Sequence, residues 1–461
     1  MKRQVKTTMM FFIPALLALS SVASAGIAGI TGAPCGGVDT CFNLTARAGH
    51  IALGDGNSLL TWSYGDDDGG TGQMQYPGPT LIVTQGDVVQ VTLNNTLSEP
   101  TSIVFPGQIG VAASGGTAGQ ITNEATNGAG AVTYTFTASE PGTYMYQSGS
   151  HAELQIQMGL VGALIIRPAA GGEGTAYGSP STQYDREYLF FLTEMDRAAH
   201  EAVELGVPVD VAGYNATLWF INGRNGPDTL HPDNAGWMPL QPYGSLAQME
   251  PGERVLMRIV AAGLDMHPFH HHGNNAWIIA EDGRVLESSA DASAAYPDFL
   301  PPSRTGLELL PIQSLVDRGA TLPDEAVSNY TVLVSPGSTY DSIFTWTGIG
   351  MNWDIYGNRP GHAPGDCGAM QPDEDPNGHC QALESLVTLP EQQAMTFGGL
   401  WTGSAFLGSL DALPPDQGGL NPNGGFSYMW HSHTERELTN DDIFPGGMMT
   451  FMIIEAPGTL D

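Results

Sequence analysis

The sequence is short of positive charge, and this shortage narrows the range of functions. Lys and Arg together number 15 against 48 Asp and Glu, so the formal net charge is −33. Nucleic acids and anionic membrane surfaces repel negative charge, so we expect the chain to bind neither. The same acidity suits a soluble exported protein and would attract cations.

Cysteine is also scarce, and its spacing excludes two kinds of redox centre. The four cysteines form two pairs that are close in sequence, Cys35 with Cys41 and Cys367 with Cys380. None stands in a CxxC or CxxCH pattern, which argues against a thioredoxin-like site and against attached c-type haem. In an oxidising compartment such pairs predict two disulfides that close short loops. We therefore expect no cysteine thiolate to be left to hold a metal.

Long apolar runs are missing beyond the N-terminus, so we expect no membrane span in the mature chain. The N-terminus itself has a basic start, the short apolar run MMFFIPALLALSSV and the small residues ASA at Ala23–Ala25. This arrangement is typical of a secretory signal peptide, which we place at residues 1–25. The expected location is therefore secreted or periplasmic.

Gly and Pro are abundant instead, with 60 and 32 residues, and they separate short apolar or alternating segments. This pattern predicts an all-β fold of strands joined by turns. The strands are predicted in two sets, at 80–84, 88–95, 132–138, 142–148 and 159–168, and then at 188–195, 217–223, 253–263, 275–283, 329–346, 426–433 and 446–457.

The two sets of strands end alike, on GALIIRP and on TFMIIEAP, which indicates duplicated β-sandwich domains. We place an N-terminal domain at 26–168, a small and polar linker at 169–184, and a C-terminal domain at 185–461. The C-terminal domain contains an insertion at about 348–425 that is rich in Gly, Pro and Asp. Loops of that length are usually functional lids or decoration specific to a family.

Histidines are concentrated in two segments, MHPFHHHGNN and MWHSH. In an extended chain, residues two apart project to the same face, so His270 and His272 form one pair and His431 and His433 another. If the two segments are neighbouring strands, four imidazoles converge. Such a cluster in an exported protein predicts a copper or zinc site.

The chain resembles multicopper oxidases, the cupredoxin-fold family that includes the laccases. HPFHHHG is similar to that family's HPxHxHG motif, and YMWHSH followed by GGMM occupies the place of its WxxHCHxxxH…M motif. PGPTLIVTQGDVVQVTLNN at 77–95 and PGSTYDSIF at 336–344 resemble its first-domain opening and its PGxxYD turn. The resemblance covers nearly the whole mature chain. It implies tandem cupredoxin-like Greek-key β-sandwiches, two domains in place of the laccases' three, and copper as the cofactor.

The family's blue-copper motif is altered in this sequence. His267 and a Met at 448 or 449 are kept, but Ser432 stands at the cysteine position and Glu437 at the later histidine position. A hydroxyl lacks the soft, ionisable sulfur of a thiolate, so we expect no ordinary blue copper. His267 with Glu437 is a candidate second, weak site for a harder metal, although we favour Glu437 as a solvated charge.

The first-domain half of the family's trinuclear copper centre is missing as well. Residues that are not metal ligands occupy its histidine positions, namely Val104, Pro106, Gln147 and Gly149, with His151 nearby but out of register. The second domain keeps its half of the centre. The predicted metal ligands are therefore His267, His270, His272, His431 and His433.

These features predict an exported, multicopper-oxidase-like copper-binding protein whose activity the residues leave open. It would be an oxidoreductase that acts on metal ions or small organic donors through a non-blue copper site, or a non-catalytic copper-binding or structural assembly protein. A reduced complement of copper is the expected cofactor, with zinc or another transition metal as the alternative. The expected partners are metal ions and other copies of the chain, in a trimer like that of two-domain relatives or in a surface assembly. A zinc hydrolase ranks last, because no general base can be named.

Overall fold

The computed structural model describes residues 26–68, 72–288, 322–346, 426–455 and 458–460, and the backbone of 396–397 and 400–401. The predicted signal peptide, the Cys367–Cys380 pair and nearly all of the predicted insertion lie outside the described residues. The Cys35–Cys41 disulfide is formed, as predicted. Within the described ranges, no helix combines the length and apolar character that a membrane crossing requires.

The first half of the chain is a β-sandwich with one short helix, α1 (Ala152–Gln155). Its strands are β1 (Ile30–Thr31), β2 (Ala33–Cys35), β3 (Val38–Ala52), β4 (Ser58–Asp66), β5 (Gly78–Thr84), β6 (Val88–Asn95), β7 (Ala112–Gly115), β8 (Thr117–Ala118), β9 (Asn123–Glu124), β10 (Ala131–Thr137), β11 (Gly142–Gln147) and β12 (Val161–Arg167). One sheet has the order β1-β5-β12-β11 and the other β2-β3-β6-β10-β7, with β4 paired to β3. Every second residue of β6 and β10 is buried, so one face of that sheet lies on the core.

The second half of the chain forms another β-sandwich, and the longest helix in the described part of this half is α2 (Arg197–Leu205). Its strands are β13 (Arg186–Met195), β14 (Leu218–Ile221), β15 (Ala247–Met249), β16 (Arg254–Ala262), β17 (His267–His271), β18 (Ala276–Glu281), β19 (Arg284–Val285), β20 (Val327–Asn329), β21 (Thr331–Val334), β22 (Thr339–Thr345), β23 (Thr396–Phe397), β24 (Leu400–Trp401), β25 (Phe426–Ser432) and β26 (Met449–Ile454). One sheet has the order β14-β13-β16-β22-β18-β19, with β20 paired to β18. The other has the order β15-β26-β25-β17-β21, which makes β21 an edge strand beside β17.

The predicted strands coincide with observed ones to within a few residues, because alternation and apolar runs are local signals. Predicted strand 329–346 is two strands, β21 and β22, separated by a turn. The elements absent from the predicted strands include β3, β4, β17, several short strands and α2. In β3 the buried positions include Thr40 and Thr45 and follow no clean alternation, so the strand depends on pairing with β4 and β6 on its two sides.

The two sandwiches pack against each other through a mixed apolar and polar surface. Met145 of the first belongs to the same hydrophobic cluster as Phe191 and Val260 of the second. The Tyr76 hydroxyl donates to the Thr193 Oγ1 at 2.6 Å across the same boundary.

Candidate metal centre

The two histidine segments are neighbouring strands. β17 and β25 pair antiparallel in the five-stranded sheet, with His270 opposite His431. The inward side chains Phe269 and Trp430 are fully buried in the core. Strand alternation therefore turns His270 and His431 to the outer face of the sheet, as the spacing of the motifs predicted.

Three imidazoles approach within the reach of one metal ion. One ring nitrogen from each of His270, His272 and His431 lies within 4.8 Å of the other two. The Nε2 atoms of His431 and His272 are 3.3 Å apart. The His433 ring centroid is 4.8 Å from that of His270 and 5.9 Å from that of His431. The structure thus brings together four of the predicted ligands, with His433 at the edge of a three-histidine group.

The environment of these imidazoles favours their neutral form. The pKa of His270 is lowered to about 4. Partial burial is the largest cause, and repulsion from the neighbouring His272, His431 and His433 adds to it. Burial also lowers the pKa of His272 and of His431. A neutral imidazole presents a lone pair to a metal without first losing a proton. Because His272 and His433 are exposed, the group remains open to solvent on one side.

His267 lies apart from this group, on the buried side of β17. Its Nε2 is 2.8 Å from Glu194 Oε2 and its Nδ1 is 3.0 Å from Glu437 Oε2. Burial by itself would lower the pKa of His267, but the hydrogen bonds to both carboxylates raise it to about 9. At neutral pH the ring is therefore an imidazolium that donates one proton to each carboxylate. A metal at His267 would have to displace one of those protons, so its role as a ligand stays a prediction.

The expectation that Glu437 is a solvated charge is wrong. It lies in the 3-10 helix Glu435–Leu438, and the residue is 4% exposed. Besides the bond to His267, its carbonyl accepts the Met448 N–H at 2.7 Å. The Glu437 carboxylate joins this 3-10 helix to His267 of strand β17. Glu437 is therefore part of the buried core beneath the outer face that carries His270 and His431.

Glu194 belongs to the same buried triad, and the strand pattern alone did not single it out. Its Oε1 accepts the Tyr214 hydroxyl at 3.0 Å and the backbone N–H groups of Leu264 and Asp265 at 2.5 and 3.0 Å. The available signal was a single acidic residue inside the apolar strand YLFFLTEM.

Three of the four first-domain positions that depart from the copper motifs meet in the structure. Val104 and Gln147 exchange backbone hydrogen bonds of 2.8 and 3.1 Å. A side chain at Gly149 would lie 2.7 Å from Val104 Cγ1, so this glycine lets the two segments approach. His151 points elsewhere, with its Nδ1 3.1 Å from Glu99 Oε2. None of the three positions that meet supplies an imidazole.

Solved structures identify the class of fold. The structure of a blue copper oxidase from Nitrosomonas europaea matches with a TM-score of 0.52 and 17% sequence identity, covering 90% of this chain and 85% of that one. The likeness confirms the predicted all-β architecture of tandem cupredoxin-like β-sandwiches.

Sequence comparison identifies the family within that class. Two family models described as multicopper oxidase match residues 68–171 and 212–340. An L-ascorbate oxidase from Cucurbita pepo var. melopepo is 33% identical over 156 residues, 32% of this chain and 26% of that protein. Laccase 1 of Metarhizium majus (strain ARSEF 297) is 30% identical over 253 residues, 53% of this chain and 39% of that protein. The chain belongs to the multicopper oxidase family, although it spans well under half the length of these curated relatives.

Proposed function

We propose that this protein is an exported, copper-binding member of its family that holds a non-blue copper site on the second sandwich. His270, His272 and His431 would be the ligands, with His433 at the edge as a fourth. The observation that carries this proposal is the convergence of three neutral imidazoles within 4.8 Å. All-nitrogen imidazole sets suit copper and zinc, and the family implies copper. Bound copper would supply a one-electron redox couple at this face.

The surroundings of Ser432 support a site without a blue-copper centre. Ser432 is fully buried, and its Oγ accepts the Thr434 N–H at 3.1 Å. A serine hydroxyl in that position offers neither a thiolate nor a soft donor. Electron donors would therefore approach the histidine group directly from its solvent-exposed side. We propose metal ions or small organic donors as the substrates, and ascorbate, for which the related L-ascorbate oxidase is named, is one such donor.

A second candidate function is non-catalytic, either copper binding or assembly on a cupredoxin scaffold. The observation that favours it is the first-domain surface, where Val104, Gln147 and Gly149 supply no imidazole to complete a multinuclear centre. A homo-oligomer such as a trimer, or a surface assembly, would then be held by contacts other than shared copper. For either function we propose a secreted or periplasmic location, on the basis of the N-terminal sequence.

The deciding measurement is the copper content of the purified mature protein after loading and desalting, together with its visible and EPR spectra. We expect about one tightly held copper per chain, without intense blue absorption. Replacing both His270 and His431 by Ala should abolish it. The matched control is His50→Ala with His151→Ala, two exposed histidines of the first sandwich that pair with Glu204 and Glu99.

Each outcome of this measurement supports or contradicts a particular one of these functions. Copper lost in the His270/His431 variant and kept in the control supports the proposed site, and oxygen consumption with ascorbate or Fe(II) then separates oxidase from carrier. Copper retained by both variants would place the site elsewhere. A wild-type protein without copper above background would overturn both the oxidoreductase and the copper-binding proposals, and only the assembly function would remain. Circular dichroism of each variant establishes that it is folded.

A further inference from the structure

We infer that Thr331 is a positioning residue of the histidine group, which fixes the tautomer of His270 so that its Nε2 faces the metal position. The inference rests on the proposed copper site and names the residue that prepares it. The residue lies outside both histidine segments, on the edge strand β21.

Thr331 is placed directly beside the ligand by strand pairing. β21 runs antiparallel to β17, with Thr331 opposite His270. The Thr331 Oγ1 lies 2.7 Å from the His270 Nδ1. A contact of that length is a hydrogen bond, and it leaves the His270 Nε2 as the nitrogen that is free to bind a metal.

The proton on a neutral imidazole can sit on either ring nitrogen, and only the bare one binds a metal. In the arrangement we infer, the Nδ1–H of His270 donates to the Thr331 Oγ1, and the lone pair is on Nε2. His431 is arranged in the same sense, because its Nδ1–H donates to the Ser432 carbonyl at 2.7 Å. Its Nε2 is the atom that approaches His272 at 3.3 Å. In both rings, therefore, Nδ1 is engaged by a neighbouring residue and Nε2 is the nitrogen left for a metal.

Thr331 is itself held in place by the turn that precedes β21. The Asn329 Oδ1 accepts the backbone N–H groups of Tyr330 at 2.9 Å and of Thr331 at 3.2 Å, which forms an Asx-type turn. The Tyr330 carbonyl accepts the His271 N–H at 3.1 Å and also interacts with the His270 imidazole. The Thr331 hydroxyl is thus held by a constrained turn, and that turn is bonded to strand β17 at both His270 and His271.

The test compares Thr331→Val, which keeps the shape and removes the hydroxyl, with Thr331→Ser, which keeps the hydroxyl. Hydrogen-bond partners of ligating histidines typically contribute 10- to 100-fold in metal affinity. Because the Tyr330 carbonyl also acts on the ring, we expect Thr331→Val to weaken Cu(II) binding about tenfold, near the lower end of that range. Thr331→Ser should restore affinity close to that of the wild type.

The second readout is the tautomer of His270 in the metal-free protein, from the long-range ¹H–¹⁵N correlations of the imidazole. The wild type and Thr331→Ser should carry the proton on Nδ1, and Thr331→Val should show a mixture. Unchanged tautomer and affinity in Thr331→Val would overturn the inference, as would a Thr331→Ser variant as weak as Thr331→Val. If the wild type binds no copper, the proposed function fails, while the tautomer measurement still decides the role of Thr331.

Discussion

Replacing Glu437 by Gln is expected to lower the free energy of unfolding by about 3–5 kcal/mol, the usual range when one partner of a buried ion pair is removed. The variant leaves the buried imidazolium of His267 with one carboxylate, Glu194, where it has two. The amide oxygen can still accept the Nδ1–H of His267, but it carries no negative charge, so the charge-assisted part of the contact is lost. Urea denaturation of the wild type and the variant at neutral pH measures the difference.

Glu435→Gln is the matched control for this experiment. Glu435 lies two positions earlier in the same 3-10 helix, but it is exposed and has no buried partner among the described residues. Its substitution should change the free energy of unfolding by less than about 0.5 kcal/mol. Equal effects of the two substitutions would contradict the view that Glu437 stabilises the fold through His267.

The same triad makes stability fall at alkaline pH. The pKa of His267 is about 9 in the folded protein, against about 6.5 in the unfolded chain. Because the folded value is the higher one, this contribution is fully present below about pH 6.5 and is lost as the pH rises through about 9. The difference corresponds to about 3 kcal/mol. His267→Gln should be less stable at neutral pH and should show a smaller loss between about pH 7 and about pH 10.

Replacing Arg258 by Met should destabilise the protein by about 3–5 kcal/mol and weaken the coupling between the two sandwiches. Arg258 is fully buried. Its Nε donates to Glu187 Oε2 at 3.0 Å and its Nη1 to Thr143 Oγ1 at 2.9 Å, and Nη1 lies 3.5 Å from Asp341 Oδ2. Thr143 belongs to the first sandwich and the others to the second, so the guanidinium connects the two. Without it, two carboxylates remain buried with less compensation.

Scanning calorimetry with a compensating variant separates the ionic effect from the loss of packing. Arg258→Met combined with Asp341→Asn removes one uncompensated carboxylate, so it should recover part of the stability lost in Arg258→Met alone. Arg284→Met, at an exposed position, is the control for the removal of a guanidinium. We expect one transition in the wild type, and we expect it to broaden or split in Arg258→Met. An unchanged transition would contradict the coupling role.

Much of the fold and of the histidine face was predictable, because both depend on local periodicity. An apolar or alternating run bounded by Gly and Pro defines a strand such as β6 or β16 without reference to the rest of the chain. Alternation likewise places His270 and His431 on the face opposite Phe269 and Trp430. The long strand β3 escaped prediction, because it depends on its ladders with the next strand, β4, and with the more distant β6, and not on its own pattern.

The partners of the functional side chains were not predictable, because they come from distant parts of the chain. Glu194 reaches His267 across 73 residues, and Thr331 reaches His270 across 61. Glu437 was misjudged for the same reason. Its neighbours in the sequence, TEREL, are mostly charged and exposed, whereas its own side chain turns toward a buried imidazolium.

The sequence by itself determined which donor atoms exist: imidazoles in two HxH pairs, a hydroxyl at position 432, and aliphatic, amide or glycine residues at the first-domain positions. It also determined the side of each strand on which those atoms lie, since that follows from the two-residue repeat. Only the tertiary structure decided that β17 and β25 are neighbours, that His267 is enclosed by two carboxylates, and that Thr331 contacts His270. The pairing of strands is set by burial of the common core over long separations in sequence, which no local pattern specifies.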